Sequence, residues 1–593
     1  MKNMPFILLT LLLASINLLN AQSNFVGFMP GNGIAGPSEM IADDFGNVIM
    51  CGIFTNSMDI DLSSSTQVIY ANGDEDGWIA KYDAAGSLLW GFAIGGNANQ
   101  AAKGLAIDEF NNIYIVGYFA GTVDFDQSSG SSLLTSQGDW DAFVLKLDES
   151  GNFIWAKSFG GSNRQFPTEV VCNQNGNIYI SGTLSGSTNM DMNGGTYLLT
   201  PNASGGGNEA NTGYYAKYNY NGDLIWAYNV AGINPEIALG NENGSDVIYY
   251  LGHGVANPLS LDDFDPSGAI LQPVPSPFTS ANYFALIKYD ASGQLIWSKF
   301  SRTIISSAGT DVITKDVAID LSGDIYVAGD FYSGFDLYPG NDMTLNAYGI
   351  TGTDGFLVKY NSAGNFIWEK QFGTADEYDY AEEISIDSWN NVWVSGGFRN
   401  IAEMNSSGTS HTLTSAGLND IFAAGFTSSG NYIWAGSVSG PATDGAPQML
   451  AVGNNLLISG FFIQTADCDI TSGVNYLTAQ QFSDVFFASF INPGSTTGIS
   501  ENIREVQFSC FPNPASEKLT VKFNVLQSSK IKIVLAAMNG SILDSKESTY
   551  KSAGIHNETF KINNNIASQL VQLIVYVDDE RASVHSLMIQ RGN

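Results

Sequence analysis

Basic side chains are scarce in this chain. Lys and Arg together number 24 against 58 Asp and Glu, a formal charge of −34, and that excludes a surface built to track nucleic-acid phosphates. Histidine is scarcer still: there are four, and two of them (His556, His585) stand near the C-terminus. No HExxH pair, GxSxG elbow or phosphate loop occurs, so the common hydrolase and nucleotide-binding readings have no residues to rest on. The four cysteines, Cys51, Cys172, Cys468 and Cys510, lie far apart and form neither a zinc spacing nor a disulfide framework. Cys51 sits in the apolar pattern VIMCGIF and reads as a small core residue. No run of about 18 apolar residues follows the N-terminal segment, so no transmembrane helix is expected.

Glycine is abundant, with 64 residues, and aromatics reach 12%, a mixture that favours twisted strands and tight turns over helices. At 593 residues the chain is too long for one simple core, so several domains or a repeat array are expected. Lys2, the apolar stretch PFILLTLLLASINLL and the small residue Ala21 read as an export signal over residues 1–21. The mature chain is therefore expected to be secreted or held at the outer cell surface.

One eight-residue phrase occurs six times. It ends at Trp90 (DAAGSLLW), Trp155 (DESGNFIW), Trp226 (NYNGDLIW), Trp297 (DASGQLIW), Trp368 (NSAGNFIW) and Trp434 (TSSGNYIW). The spacings are 65, 71, 71, 71 and 66 residues, a period that suits propeller blades. A second phrase, AIDEFNNIYIVGYF (106–119), keeps the same beat in seven copies. Each phrase reads as a β-hairpin. Asp or Asn opens a type I turn by accepting the amides beyond it, and Gly three residues on takes the left-handed conformation. The Trp then falls at a fixed point on the returning strand, where it can fill the wedge between sheets.

Seven copies of one hairpin against six of the other leave the last blade a strand short. NFVGFMPGNG (24–33) is similar to WGFAIGGN (90–97), so residues 24–29 are expected to complete that blade and close the ring, with Val26 at the Trp position. The expected fold is all-β: a seven-bladed propeller over 22–493 closed by the N-terminal strand, a linker over 494–507, and a compact β-sandwich over 508–593.

The phrases GNxYVxGxF, VDFD and DAFVxKYDxxGNxIWAKSFGG resemble the repeat of secreted bacterial β-propeller (SBBP-type) proteins over most of the chain. The resemblance implies the fold and says little of activity. FPNPASEKLTVKF (511–523) and the strands after it resemble the C-terminal sorting domain of the Bacteroidetes type IX secretion system. Pro512, Asn513, Pro514, Ala515 and the Asn539-Gly540 turn carry that match. It implies the type IX machinery as a partner and a removable address for crossing the outer membrane.

The variable loops all fall on one face, where binding is expected to reside. That face should present Arg164, Arg302, Asp376, Tyr378, Asp379, Tyr380 and Arg399 to a carbohydrate or a surface protein. D-x-D pairs follow the first hairpin of several blades: Asp59 and Asp61, Asp124 and Asp126, Asp263 and Asp265, Asp467 and Asp469. They supply oxygens that suit Ca²⁺, or they are turn-forming residues on a solvated edge. The D-x-x-G…W hairpin also resembles the Asp box of sialidase propellers, which implies a role for the three arginines in gripping a sugar carboxylate. That box places Gly three residues before Trp, whereas here the interval is four. The expected function is non-catalytic binding or adhesion. The alternative is a secreted polysaccharide-acting enzyme, glycosidase- or sialidase-like, which would need converging, buried carboxylates with shifted pKa in a central pocket.

Overall fold

The computed structural model describes residues 25–495 apart from 174, 202–211, 243, 257–263, 268–280, 304–311, 333, 338–343, 350–351, 376, 406–409 and 472; beyond 507 it describes seven strands between Phe508 and Ile589. The expected signal over 1–21, Asp263, Asp376, most of the linker and Pro512–Pro514 lie outside the described residues, as do the side chains of Arg302 and Cys510. The chain divides into two units at Thr496/Thr497. Among the described residues no helix is long and apolar enough to cross a membrane.

The first unit is a seven-bladed propeller of antiparallel sheets. Blade one runs Ala35–Ala42, Val48–Phe54, Asp76–Tyr82 and Leu88–Ile94 from the axis outward. The innermost strands of the other blades are Gln100–Ile107, Gln165–Cys172, Ile233–Glu242, Val312–Ile319, Tyr380–Ile386 and Gly445–Val452. The second and third strands of each blade are buried on both faces because blades pack on either side, and Trp78, Tyr114, Tyr179, Tyr250 and Trp393 fill those layers. Such strands lose strict alternation and read as near-continuous apolar runs. Cys51 is fully buried among them.

The repeated phrase is an interlock between blades. Asp148 Oδ1 accepts the amides of Ser150 and Asn152 at 2.9 and 2.8 Å, and Gly151 donates to the Asp148 carbonyl at 3.0 Å. Gly151 sits at φ +80°, and a Cβ there would come within 2.6 to 3.0 Å of the Trp90 ring of the preceding blade. The Trp90 indole N–H reaches the Glu149 carbonyl of the same turn at 3.4 Å. Trp368 repeats this on blade six, with Gly430 under its ring and the Ser428 carbonyl at 3.1 Å. A lysine beside the Trp adds a second tie. Lys81 pairs with Asp43 of its own inner hairpin at 2.8 Å and donates to Glu149 O of the next blade at 2.9 Å.

The seventh sheet is ordered Phe25–Met29, Asp484–Ile491, Asn455–Phe462, Gly445–Val452. Its register pairs Phe25 with Ser489, which matches Trp90 opposite Lys81 in blade one. Phe25, not Val26, therefore stands at the Trp position. Its ring lies 2.6 Å from where a Cβ on Gly86 would fall, so it covers the next turn as the tryptophans do. Val26 reaches the Trp position only when Gly27 is set on Gly91, whereas the pairing puts Gly27 opposite Phe487, where blade one has Phe92 opposite Ile79.

Four-stranded blades are also not the whole of it. Outside several blades lies a short ribbon: Ser57–Asp59 with Val68–Tyr70, Thr122–Asp124 with Leu133–Thr135, and Thr465–Asp467 with Tyr476–Thr478. Strands of three residues carry too little alternation to be seen in sequence.

The second unit holds two antiparallel sheets. One comprises Phe508–Phe511, Lys518–Val525 and Gly554–Lys561; the other is ordered Ile542–Lys551, Ser529–Ala537, Gln569–Val577, Glu580–Ile589. Leu519 and Val521 of the first and Ile531, Ile533 and Leu535 of the second are buried.

Candidate functional site

Each innermost strand enters from the loop-rich face and leaves into a tight hairpin on the other, so seven such strands surround one axis. All seven carry a register break near their entry: Pro37/Glu39, Ala102/Gly104, Pro167/Glu169, Ile233/Glu236, Thr314/Asp316, Ala381/Glu383 and Gly445/Gln448. A bulge adds a residue to one strand and re-aims side chains. Here it sets one level of the axis with Glu39, Glu169, Glu236, Asp316, Glu383 and Gln448, which line a cavity of about 1040 Å³. Lys103, Lys315 and Glu382 line it too. Farther along the same strands the lining is apolar, with Ile41, Ile107, Val171, Leu239 and Ala318.

The carboxylates at this level disturb one another. Burial first, and the charge of Asp316 second, push Glu39 up to about 8, against one favourable bond from the Met40 amide. Burial and then the charges of Asp316 and Glu39 raise both Glu236 and Glu383 well above the carboxylate range. Glu169 is raised by burial and by Glu39 and Glu236. Asp316 rises only to about 6, because its two oxygens accept the amides of Val317 and Ile384, each at 2.6 Å. His253 lines the cavity as well; burial and then Lys315 lower it to about 4, so at neutral pH it is uncharged, and its Nδ1 meets Thr314 Oγ1 at 3.0 Å.

The loop face carries two aromatic–arginine clusters. Between blades two and three, Tyr118 stacks on Trp140 at 5.1 Å and both meet Phe166 edge-on at 5.2 and 5.3 Å. Arg164 lies over the Trp140 ring at 4.9 Å and pairs with the exposed Asp139 at 3.4 Å. Tyr118 and Phe166 also line the axial cavity. Between blades five and six, Arg399 lies over the exposed Tyr378 ring at 5.5 Å and its Nε donates to Asn419 at 3.2 Å. Beneath them Asp379 is fully buried and accepts the Arg399 and Thr374 amides at 2.9 and 3.2 Å, while burial lifts it to about 7. Tyr380 packs beside Gly397, where a Cβ would meet its ring at 2.4 Å. Tyr378, Asp379, Tyr380 and Arg399 are therefore brought together. Arg164 and Arg399 engage different partners in different blades.

Asp59, Asp124 and Asp467 end the first strands of the outer ribbons, and Asp61, Asp126 and Asp469 follow two residues on. Asp59 Oδ1 accepts the Asp61 and Gln67 amides at 3.1 and 2.7 Å, and Asp61 accepts Ser63 at 2.9 Å. Asp124 accepts Asp126, Ser132 and the Ser131 hydroxyl at 3.2, 2.8 and 2.8 Å, and Asp126 accepts Ser128 at 2.9 Å. Asp467 and Asp469 repeat the pattern, and Asp265 accepts Ser267 at 2.8 Å. This is turn chemistry. Among the described residues no three His, Cys, Asp or Glu side chains are grouped closely enough to hold a metal ion.

Sequence reasoning missed the ring and the Trp140 platform. The ring had a signal: in blades one, three, five and six an acidic residue stands four before the hairpin Asp or Asn, as in Glu39/Asp43, Glu169/Asn173, Asp316/Asp320 and Glu383/Asp387.

No family model matches the chain. An uncharacterised WD repeat-containing protein of Acanthamoeba polyphaga mimivirus is 26% identical over 417 residues, which is 62% of this chain and 30% of that protein. The regulatory protein FlaEY of Caulobacter vibrioides is 26% identical over 154 residues, 25% of this chain and 16% of its own length. The chain thus spans less than a third of the curated relatives it matches. Among solved structures, the phage phi92 endosialidase aligns over 96% of this chain and 88% of its own at 9% identity and a TM-score of 0.30. A mutant Trypanosoma rangeli sialidase aligns over 94% and 85% at 8% identity and a TM-score of 0.26. Likenesses this slight do not bear on activity.

Proposed function

We propose that this chain is an exported, non-catalytic binding protein that takes a carbohydrate on its loop-rich face. One observation carries the reading: Tyr118, Trp140, Phe166 and Arg164 form a braced aromatic–guanidinium platform at the mouth of the axial cavity. Rigid aromatic surfaces stack on sugar rings at little entropic cost, and arginine adds directed donors. The Tyr378–Arg399 pair offers a second contact on the same face. The test is a glycan array probed with the intact chain and with Trp140→Ala. Retention on one glycan class that the variant loses supports the reading. No retention, or equal retention of both, refutes it.

The same proposal includes the chain's route. Residues 25–29 close the ring as the outer strand of blade seven, supported by their register with Asp484–Ile491. The two sheets after Thr497 form a sandwich that serves as a type IX secretion address, supported by the resemblance at Pro512, Asn513 and Pro514. Removing residues 508–593 should leave a folded propeller trapped inside the cell envelope, and normal secretion would sink the sorting claim.

A second reading, a polysaccharide-acting enzyme, is favoured by the gathering of Glu39, Glu169, Glu236, Asp316 and Glu383 in one cavity, where burial raises Glu39 further than Asp316, as an acid and a base would differ. Hydrolysis of any arrayed glycan that Asp316→Asn abolishes would replace binding with catalysis.

A further inference from the structure

The axial ring has no part in the loop-face reading and stands without it. Six carboxylates face the cavity: Glu39, Glu169, Glu236, Asp316, Glu382 and Glu383. Only Lys103 and Lys315 oppose them. His253, on the second strand of blade four, is held neutral, and Tyr118 and Cys172 complete the titratable lining. Blade seven supplies no charge. It supplies Gln448, which is 6% exposed and lines the same cavity; its amide nitrogen donates at 3.4 Å to the Pro447 carbonyl, and its Oε1 has no partner.

These features together describe an excess of acceptors. A buried acceptor without a donor is costly, and like charges gathered in one cavity hold protons that a cation would displace. Two observations choose between kinds of cation. Among the described residues no three carboxylates are grouped closely enough to grip a bare metal ion, and a cavity of about 1040 Å³ far exceeds what one ion fills. The walls next to the ring are also aliphatic, with Ile41, Val171 and Leu239 toward the tight-turn face. A polar head with several donors on an apolar stem fits both zones.

We propose that the axial cavity binds a ligand bearing a primary ammonium group on an apolar stem, with the ammonium held among the carboxylates of the ring. Binding displaces protons from the ring, so affinity rises as pH climbs through the range where the ring titrates.

The probe is 1,5-diaminopentane, titrated calorimetrically into the full chain at pH 7.5 in two buffers of different ionisation enthalpy. The expected result is saturable binding with net proton release, weakened on the order of tenfold or more in Glu236→Gln/Glu383→Gln. Removing like charges from the ring should leave that variant melting at or above the parent temperature at the same pH, which shows that it is folded. Three results overturn the proposal: no saturable binding at millimolar diamine, binding that the double substitution leaves intact, or binding without proton release. Ca²⁺ titrated alone is the further arm. Ca²⁺ binding that the double substitution abolishes, with no diamine binding, would also overturn it in favour of a metal site.

Discussion

Replacing Gly151 by Ala probes what holds neighbouring blades together. Two effects add at this position. The backbone sits at φ +80°, where an L side chain costs about 1–2 kcal/mol. The new methyl would also lie 2.6, 2.8 and 3.0 Å from three atoms of the Trp90 ring. Trp90 cannot simply swing away, because its indole N–H and the adjacent Lys81 both tie to the Glu149 carbonyl. Overpacking of this kind costs about 1–3 kcal/mol. Gly46 is the control. It has φ +78° and its nearest neighbour, Val452 Cγ1, lies 4.0 Å from the Cβ position, so Gly46→Ala carries the backbone cost alone. Urea unfolding of the full chain, followed by circular dichroism, should place Gly151→Ala about 1–3 kcal/mol below Gly46→Ala at unchanged slope. Equal stabilities for the two variants would mean that the Trp–Gly contact is not what fixes Gly in the repeat.

Other perturbations follow from the same geometry. Lys81→Met leaves Asp43 buried without its partner, where the paired side chains are 5% and 1% exposed; a loss of about 3–5 kcal/mol in urea unfolding is expected. Stability should fall as pH rises from about 4 to 8. Asp141, Asp316 and Asp354 (about 6), Asp379 and Asp444 (about 7) and Glu39 (about 8) are all raised in the fold, burial being the first cause in each. The folded chain then binds more protons than the unfolded chain across this window, so the stabilisation is present at its acid end and lost as these groups ionise. A melting temperature higher at pH 8 than at pH 5 would contradict this. Adding Ca²⁺ or a chelator should not move the melting temperature through Asp59, Asp124 and Asp467, because their carboxylates already accept turn amides; a rise with Ca²⁺ that Asp124→Ala removes would restore them as ligands.

Much of the fold was readable because a propeller writes its architecture as a period. The Asp, Gly and Trp of each repeated phrase are tied to single contacts, so hairpins and blade count are legible in the spacing. The register of the N-terminal strand is not legible there, since matching Gly27 to Gly91 shifts it by one and only pairing shows that Phe25 faces Ser489. The site was less legible. Tyr378, Asp379, Tyr380 and Arg399 fall together because three are consecutive and the fourth closes the adjoining loop. Arg164 stands out by charge in a chain poor in cations, whereas Trp140, on which it lies, belongs to no repeated phrase. The ring was hidden for a different reason. Its residues are hundreds of positions apart and converge only through rotation about the axis, which hydrophobic periodicity within one blade does not encode. The acidic residue four before the hairpin Asp or Asn in blades one, three, five and six is visible, but it reads locally as a solvated strand end.

The account rests most heavily on the first strand being built into the last blade, since that fixes the ring, the channel and the face above it. Hydrogen–deuterium exchange of the intact chain tests this directly. The amides of Phe25–Met29 should exchange as slowly as those of Phe366–Phe372, the outer strand of blade five, and those of Asp484–Ile491 as slowly as those of Asp354–Tyr360, the interior strand of that blade. Fast exchange at Phe25–Met29, with Asp484–Ile491 behaving as a frayed edge, would contradict it.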